Sequence, residues 1–327
     1  MTQKELNVDE NTKLSDLTDR QILELTQNIK DQESQSKPLV SKLDSLDALQ
    51  KEYENDSATN FVKKIRWLKS QKWTTFRRLR GDGNCFYRAF GYGICERLLV
   101  PEGVSILGAI SEKSPISVDV PADLEAIQAG AKATLERFQA LLPLLDQAGY
   151  EKTIYEDFWE PLQTILNSIS VGKMTKVEEL MTAFNDQETC ANTIVFLRLL
   201  TAAYLKQHED DFAPFLLSFE EDYERFPAGA PSLVEFCQFY VEAVDKDADH
   251  LSITALTRCL NVDLSIAYLD LSSGQFRHDD QPGSQDSHQL PVDFHRFEIQ
   301  EGNVKDLWSN VALLYRPGHY DLIYREA

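Results

Sequence analysis

Apolar residues along this chain recur mostly at spacings of three and four, and only toward the C-terminus does the period shorten to two. The first fourteen residues are polar. From Leu17 to Gln32, Ile22, Leu25 and Ile29 predict a helix whose apolar face is too thin to be stable alone in water. In "SKPLVSKLDSLDALQKEY", Leu39, Leu43, Leu46 and Leu49 make one stripe, and Phe61, Ile65 and Leu68 make the next. Trp73 to Leu79 reads as a short strand or extended lead-in to a glycine-containing loop. Residues 123–148 predict a helix through Leu124, Ile127, Leu135, Phe138, Leu142 and Leu145. More helices are predicted around Phe158 to Ile169, twice within "VEELMTAFNDQETCANTIVFLRLLTAAYLKQH", from Leu233 to Val244, and from His250 to Asn261.

Then the period changes. "VDLSIAYLD" alternates Val262, Leu264, Ile266 and Tyr268 as a half-buried strand does, and "SSGQ" turns it toward Phe276. "RHDDQPGSQDSHQLPVDFHRF" reads as a polar loop. "NVALLYRPGHYDLIYRE" predicts two short strands joined through Arg316, Pro317 and Gly318, a hairpin signal. Helices first and strands late predict an α+β domain, and no internal repeat is evident.

Composition narrows the function. The chain has 327 residues, 43% of them hydrophobic and 26% charged, enough apolar content for a sizeable core. A net charge of −20 repels phosphates and points away from nucleic acid and toward a basic partner. The polar opening lacks the apolar segment of a secretory signal, and "TIVFLRLLTAAYL", thirteen residues interrupted by Arg198, is too short to span a bilayer. No membrane association is therefore expected. Five cysteines, at 85, 95, 190, 237 and 259, contain no C-x-x-C and suggest free thiols in a reducing, cytoplasmic or nuclear setting. Seven acids between Glu209 and Glu224 form either a solvated face or a surface for a basic ligand.

Chemistry concentrates in "RLRGDGNCFYRAFGYG". Gly81, Asp82, Gly83 and Asn84 precede Cys85, and Phe86, Tyr87, Ala89 and Phe90 continue as a helix. A helix start offers unpaired amides and the positive end of the dipole, both of which favour the thiolate form. The alternative is a buried thiol that only packs. A nucleophilic cysteine needs a base and a group to orient that base. His208, His278, His288 and His295 lie in polar surroundings and read as solvated. His319 sits in the apolar hairpin with Asp321 two residues on, and on a strand such residues share a face. The papain and caspase signatures are absent around Cys85. The "HDD" at His278 to Asp280 and the nearby His288 fit no standard metal spacing, so neither metal nor other cofactor is expected.

"DGNCFYRA" with "LLYRPGHYDLIY" resembles the otubain branch of the ovarian-tumour cysteine proteases. The likeness extends through "KPLVSKLDSL", "YENDSATNF", "TAFNDQ", "VFLRLLTAAYL", "EFCQFYVEAVDKDADH" and "ITAL". It implies a papain-like α+β fold, a helical block on a small, mainly antiparallel sheet with a C-terminal hairpin. Residues 36–327 would form the catalytic domain and residues 1–35 a flexible ubiquitin-binding arm. By the same resemblance Cys85 is the nucleophile, His319 the general base and acid, and Asp321 the group that orients the histidine. The backbone amides of Asp82 and Cys85 form the oxyanion hole. The implied substrates are ubiquitin chains of the lysine-forty-eight linkage type, held on a surface that includes His250 and by the arm through Ile22, Leu25 and Ile29. Conjugating (E2) enzymes are implied partners, a monomer is expected, and inhibitory binding of a charged E2 without catalysis is the alternative role. Cleavage of ordinary peptides is a third reading. The sequence departs from better-known otubains at 100–121, 218–232 and 277–297.

Overall fold

The computed structural model describes residues 36–54, 59–100, 120–219, 229–271, 289–297 and 311–326. Leu39–Ala327 forms one compact unit. The arm residues Ile22, Leu25 and Ile29 lie outside the described residues.

The stripe from Leu39 to Leu49 does not form one helix. Strand β1 (Val40–Ser45) gives way to helix α1 (Leu46–Glu54) at Ser45, whose hydroxyl accepts from the Ala48 amide at 3.2 Å. A serine cap of this kind satisfies one of the orphan donors of a helix start, while Val40 and Leu43 find partners in the next strand. Helix α2 (Thr59–Ser70) then leads into β2 (Trp73–Leu79), which ends where the glycine loop begins. Helix α3 (Cys85–Leu99) is buried along nearly its whole surface, as its mostly apolar composition requires. Helices α4 (Val120–Gln147), α5 (Lys152–Ser170), α6 (Val177–Asn185) and α7 (Gln187–Gln207) form the helical block around it. Trp159, Phe138 and Phe196 fill the space between α4, α5 and α7, with the Trp159 and Phe196 rings 4.8 Å apart.

The helix predicted from Leu233 to Val244 is shorter and irregular. One turn, α8 (Leu233–Phe236), passes into a π-turn at Cys237–Val241, where the Glu242 amide reaches back to the Cys237 carbonyl at 2.8 Å. A π-turn adds a residue to the helical repeat and rotates the chain beyond it, a feature that side-chain periodicity does not signal. Helix α9 (His250–Leu260) is capped by Asp249, which accepts from the Ser252 amide at 2.8 Å, and it ends at Asn261 with φ 54°.

Strands β3 (Leu264–Tyr268), β4 (Asp293–Phe297), β5 (Val311–Arg316) and β6 (His319–Arg325) complete a six-stranded sheet in the order β1-β2-β6-β5-β3-β4. All neighbours are antiparallel except β3 and β5. Strand β4 corrects the expectation of a polar loop. It pairs with β3 from Leu264–Phe297 to Tyr268–Asp293, and its inward residue Phe294 stacks on Trp73 at 5.5 Å. Exposed His295 and Arg296 mask the alternation in the sequence. His295 itself packs against the Tyr268 ring at 4.2 Å, and His208 against Tyr204 at 4.0 Å, so neither is simply solvated.

A buried ionic network ties the helix that carries Cys85 to the strand that carries His319. Glu96 on α3 accepts from Arg77 of β2 at 2.7 Å, from Tyr92 at 3.1 Å and from Tyr324 of β6 at 2.6 Å. Arg77 and Glu96 are 1% and 2% exposed. Glu96→Ala leaves a buried guanidinium unpaired, and such losses cost about 3–5 kcal/mol. Urea denaturation is expected to show a midpoint lowered accordingly. An unchanged midpoint would show that the network contributes little.

Candidate active site

Four short segments meet at Cys85: the end of β2, the Arg80–Asn84 loop, the start of α3 and the β5–β6 hairpin. The thiol is the first residue of α3, 1% exposed, and its sulfur accepts from the Tyr320 amide at 3.4 Å. Sequence reasoning gives no sign of that amide, which comes from the hairpin and adds a donor aimed at the sulfur.

His319 opens β6 and Asp321 lies two residues on, on the same face. His319 Nε2–H donates to Asp321 Oδ1 at 2.8 Å. That bond assigns the proton of the neutral ring to Nε2 and leaves Nδ1 for the sulfur side of the site. Nδ1 is buried, and a Cβ placed on Gly81 would lie 3.2 Å from it. Glycine at 81 therefore leaves the ring its room. Burial works against charge on His319, but the hydrogen bond to Asp321 and the neighbouring Asp321 and Cys85 charges outweigh it and push the pKa up to about 9.

Asp321 is completely buried. Its Oδ1 also accepts from the Leu79 amide at 2.9 Å, and its Oδ2 from Arg316 at 2.5 Å. Burial alone would raise its pKa; the His319 bond, the Arg316 charge and the Leu79 amide reverse this and hold it below the ordinary carboxylate value. Arg316, which the sequence places in a turn, is thus the counterion of the buried acid. A turn residue five positions from the acid gives no periodic signal.

The loop before Cys85 is held from two sides. Asp82 accepts from the Asn84 amide at 3.1 Å and takes both guanidinium ends of Arg88, at 3.0 and 2.6 Å. Arg88 also donates to the Arg80 carbonyl at 2.8 Å and, through Nε, to Cys190 at 3.3 Å. The Asp82 carboxylate is consequently engaged. On the other side Arg198 of α7 donates to the Gly83 carbonyl at 3.1 Å and to Asn84 Oδ1 at 2.8 Å. Gly83 has φ 75°, which only glycine adopts without strain, and a Cβ there would meet the Asp245 carbonyl at 2.4 Å.

A thiol, an imidazole and a buried carboxylate in this order can transfer a proton from sulfur to Nδ1 and attack a carbonyl carbon. Beside them lies a hollow lined by Asp247, Ala248, Asp249, His250, Tyr268, Tyr315, Gly318 and Tyr320. His250, the exposed first residue of α9, stands on its rim against the Phe297 ring at 5.3 Å, and the capping contact belongs to Asp249. Cys95, Cys190, Cys237 and Cys259 are buried free thiols. Among the described residues no group of His, Cys, Asp or Glu could hold a metal, and no helix is long and apolar enough to cross a membrane.

The family described as Peptidase C65 Otubain matches residues 32–117 and 122–325. Human ubiquitin thioesterase OTUB1 is 34% identical over 288 residues, covering 88% of this chain and 83% of the relative. A ubiquitin thioesterase otubain-like protein of Caenorhabditis elegans is 28% identical over 95% of this chain and 90% of its own length. Among solved structures, a complex of ceOTUB1 with ubiquitin aldehyde and UBC13~Ub superposes with a TM-score of 0.68 at 26% identity, over 92% of this chain and 99% of that one. A complex of h/ceOTUB1, ubiquitin aldehyde and UBCH5B~Ub gives 0.64 at 27%, over 94% and 98%.

Proposed function

Since this chain belongs to the otubain family, Peptidase C65, and is a thiol-dependent deubiquitinase, we propose that Cys85, His319 and Asp321 carry its hydrolysis of ubiquitin isopeptide bonds, with the lysine-forty-eight linkage preferred. The observation that carries this reading is the His319–Asp321 pair poised beside a thiol at a helix start.

The Cys85 proton passes to His319 Nδ1, giving a thiolate–imidazolium ion pair, and the sulfur then attacks the carbonyl of ubiquitin's terminal glycine. The negative charge on the carbonyl oxygen is taken by the Cys85 and Asp82 amides. Collapse of the adduct breaks the C–N bond as His319 returns the proton to the leaving lysine amine. Water, deprotonated by the same nitrogen, then cleaves the thioester and releases the free carboxylate and thiol. Asp321, held by Leu79 and Arg316, keeps the ring in the tautomer these steps need.

The general-acid step needs protonated His319, whose pKa is raised to about 9. Activity is expected to decline as pH rises through about 9, with a profile of kcat against pH as the measurement. An alkaline limb near pH 7 would contradict the ion-pair arrangement.

Linkage preference requires ubiquitin on both sides of the scissile bond. His250 and the Asp247–Tyr320 hollow are proposed to receive the distal ubiquitin, and Ile22, Leu25 and Ile29 the proximal one. An acidic protein suits these partners because ubiquitin's binding face and tail carry lysine and arginine. The test is incubation with every di-ubiquitin linkage, beside a full chain carrying Ile22→Asp and Ile29→Asp. Selective loss of the lysine-forty-eight dimer, weakened in that variant, is expected. Equal cleavage of all linkages would refute the preference.

A second reading is favoured by the solved relatives, which are complexes that contain UBC13~Ub or UBCH5B~Ub. This chain is proposed also to hold ubiquitin-charged conjugating enzymes. Inhibition of ubiquitin transfer by the Cys85→Ala protein is the expected sign, and an absence of inhibition would remove this role.

A further inference from the structure

Arg198 puts a charge inside an apolar run, and its surroundings give it a task. It is completely buried in α7, stacked over the Tyr87 ring at 4.3 Å. Among the described residues its guanidinium is met by four neutral oxygens and no carboxylate. One terminal nitrogen donates to the Val241 carbonyl at 3.0 Å. The other donates to the Gly83 carbonyl at 3.1 Å, Asn84 Oδ1 at 2.8 Å and the Lys246 carbonyl at 2.7 Å. One guanidinium therefore joins the loop before Cys85 to the Val241–Lys246 segment.

Asn84 and Asp245 close a second clasp between the same two segments. Asn84 Nδ2 donates to Asp245 Oδ1 at 2.7 Å, and the Asp245 amide returns a bond to Asn84 Oδ1 at 3.0 Å. Asp245 has φ 60° and lies against Gly83, whose φ is 75°. Left-handed backbone at a residue other than glycine persists only where its surroundings hold it. Here those surroundings are Asn84, which itself abuts the nucleophile.

Resting on the deubiquitinase reading above, we infer that Arg198 is a positioning residue for the oxyanion loop, and that the Asn84–Asp245 clasp completes the same support. Fixing the Gly83 carbonyl and the Asn84 side chain fixes the peptides that precede the Cys85 amide. The guanidinium also puts a buried positive charge, met by neutral acceptors among the described residues, behind the loop where the oxyanion develops. Neither effect acts on ubiquitin's ground-state contacts, so the consequence falls on kcat. Donors that are preorganised matter because they need no rearrangement as charge appears.

The experiment compares wild type with Arg198→Met, Arg198→Lys, Asp245→Gly and Asp245→Asn in the full chain, using a fluorogenic amide of the ubiquitin C-terminus. Glycine at 245 removes the side-chain half of the clasp, the acceptor of Asn84 Nδ2, without adding backbone strain, and asparagine keeps an acceptor. Arg198→Met is expected to lower kcat by about 10²-fold, the scale of a lost oxyanion donor, with KM within about twofold. Inhibition by ubiquitin aldehyde, whose adduct places an oxygen in the hole, weakens in parallel, while affinity for free ubiquitin holds. Arg198→Lys recovers little, because an ammonium cannot span four oxygens. Asp245→Gly loses roughly tenfold in kcat, a fraction of that same scale, and Asp245→Asn recovers most of it.

An unchanged kcat in Arg198→Met would overturn the inference, as would a fall in kcat accompanied by weaker ubiquitin binding and a lower melting temperature. Should Arg198→Met not fold, Asp245→Gly decides, and wild-type kcat in that variant overturns it. An active wild type with unaltered variants defeats this inference alone. A wild type that leaves the substrate intact defeats the functional reading and this one with it.

Discussion

Cys85→Ala is expected to reduce cleavage of di-ubiquitin to background, a loss on the order of 10⁴-fold or more, as removal of a covalent nucleophile does in other triads. The thiol is 1% exposed, so alanine removes one sulfur atom from a packed site and adds no new polar group. The remaining framework does not depend on it. Arg77, Glu96, Tyr92 and Tyr324 still join α3 to β2 and β6, and Arg88 still holds Asp82. The variant should thus stay folded and keep its affinity for ubiquitin chains, which surface-bound di-ubiquitin would report. Cleavage that persists in this variant would place the nucleophile elsewhere, and Cys95, Cys190, Cys237 and Cys259 are all buried. Loss of binding along with cleavage would instead assign Cys85 a structural part.

The features of this site that are legible in the sequence and those that are hidden differ for physical reasons. Cys85 is legible because helix starts and glycine loops are local, and His319 with Asp321 because strand periodicity puts i and i+2 together. Membership of the family is legible from segments spread over most of the chain. The roles of the arginines are hidden. Arg88 and Arg198 each interrupt an apolar helical run, and a charge buried there must find acceptors inside the protein. That requirement is a usable signal, but it names no partner, since the acceptors lie up to 115 residues away in the chain. Strand β4 is concealed because exposed His295 and Arg296 interrupt its alternation, and the π-turn at Cys237–Val241 because the apolar spacing around it still fits a helix. The Leu39–Leu49 stripe misleads because a strand and a helix succeed one another without breaking the spacing of leucines.

Asp321→Asn is expected to cost about 10⁴-fold in kcat, the effect of amidating the orienting acid in a related mechanism. Asp321 receives three donors, from Leu79, His319 and Arg316, and a carboxylate can accept them all. An asparagine offers one oxygen, so its amide hydrogens must face at least one donor. If they face His319, the ring must accept at Nε2 and carry its proton on Nδ1, where the sulfur's proton should go. The Asp321 bond and charge, the larger of the influences that raise the His319 pKa to about 9, disappear, while burial continues to lower it and the Cys85 influence remains. The alkaline limb of activity then moves down from about 9, toward the unperturbed value of about 6.5. Stability obeys the same sign. A histidine with a raised pKa contributes stability that is complete below about 6.5 and lost as pH rises through about 9. The wild-type urea midpoint should therefore fall across that window, and the variant's should fall less there. The lowered pKa of Asp321 contributes stability above the ordinary carboxylate range that disappears as pH falls, and the variant lacks that dependence. Activity within tenfold of wild type, or an unchanged slope of stability between about pH 6.5 and 9, would show that His319 is oriented by something other than Asp321.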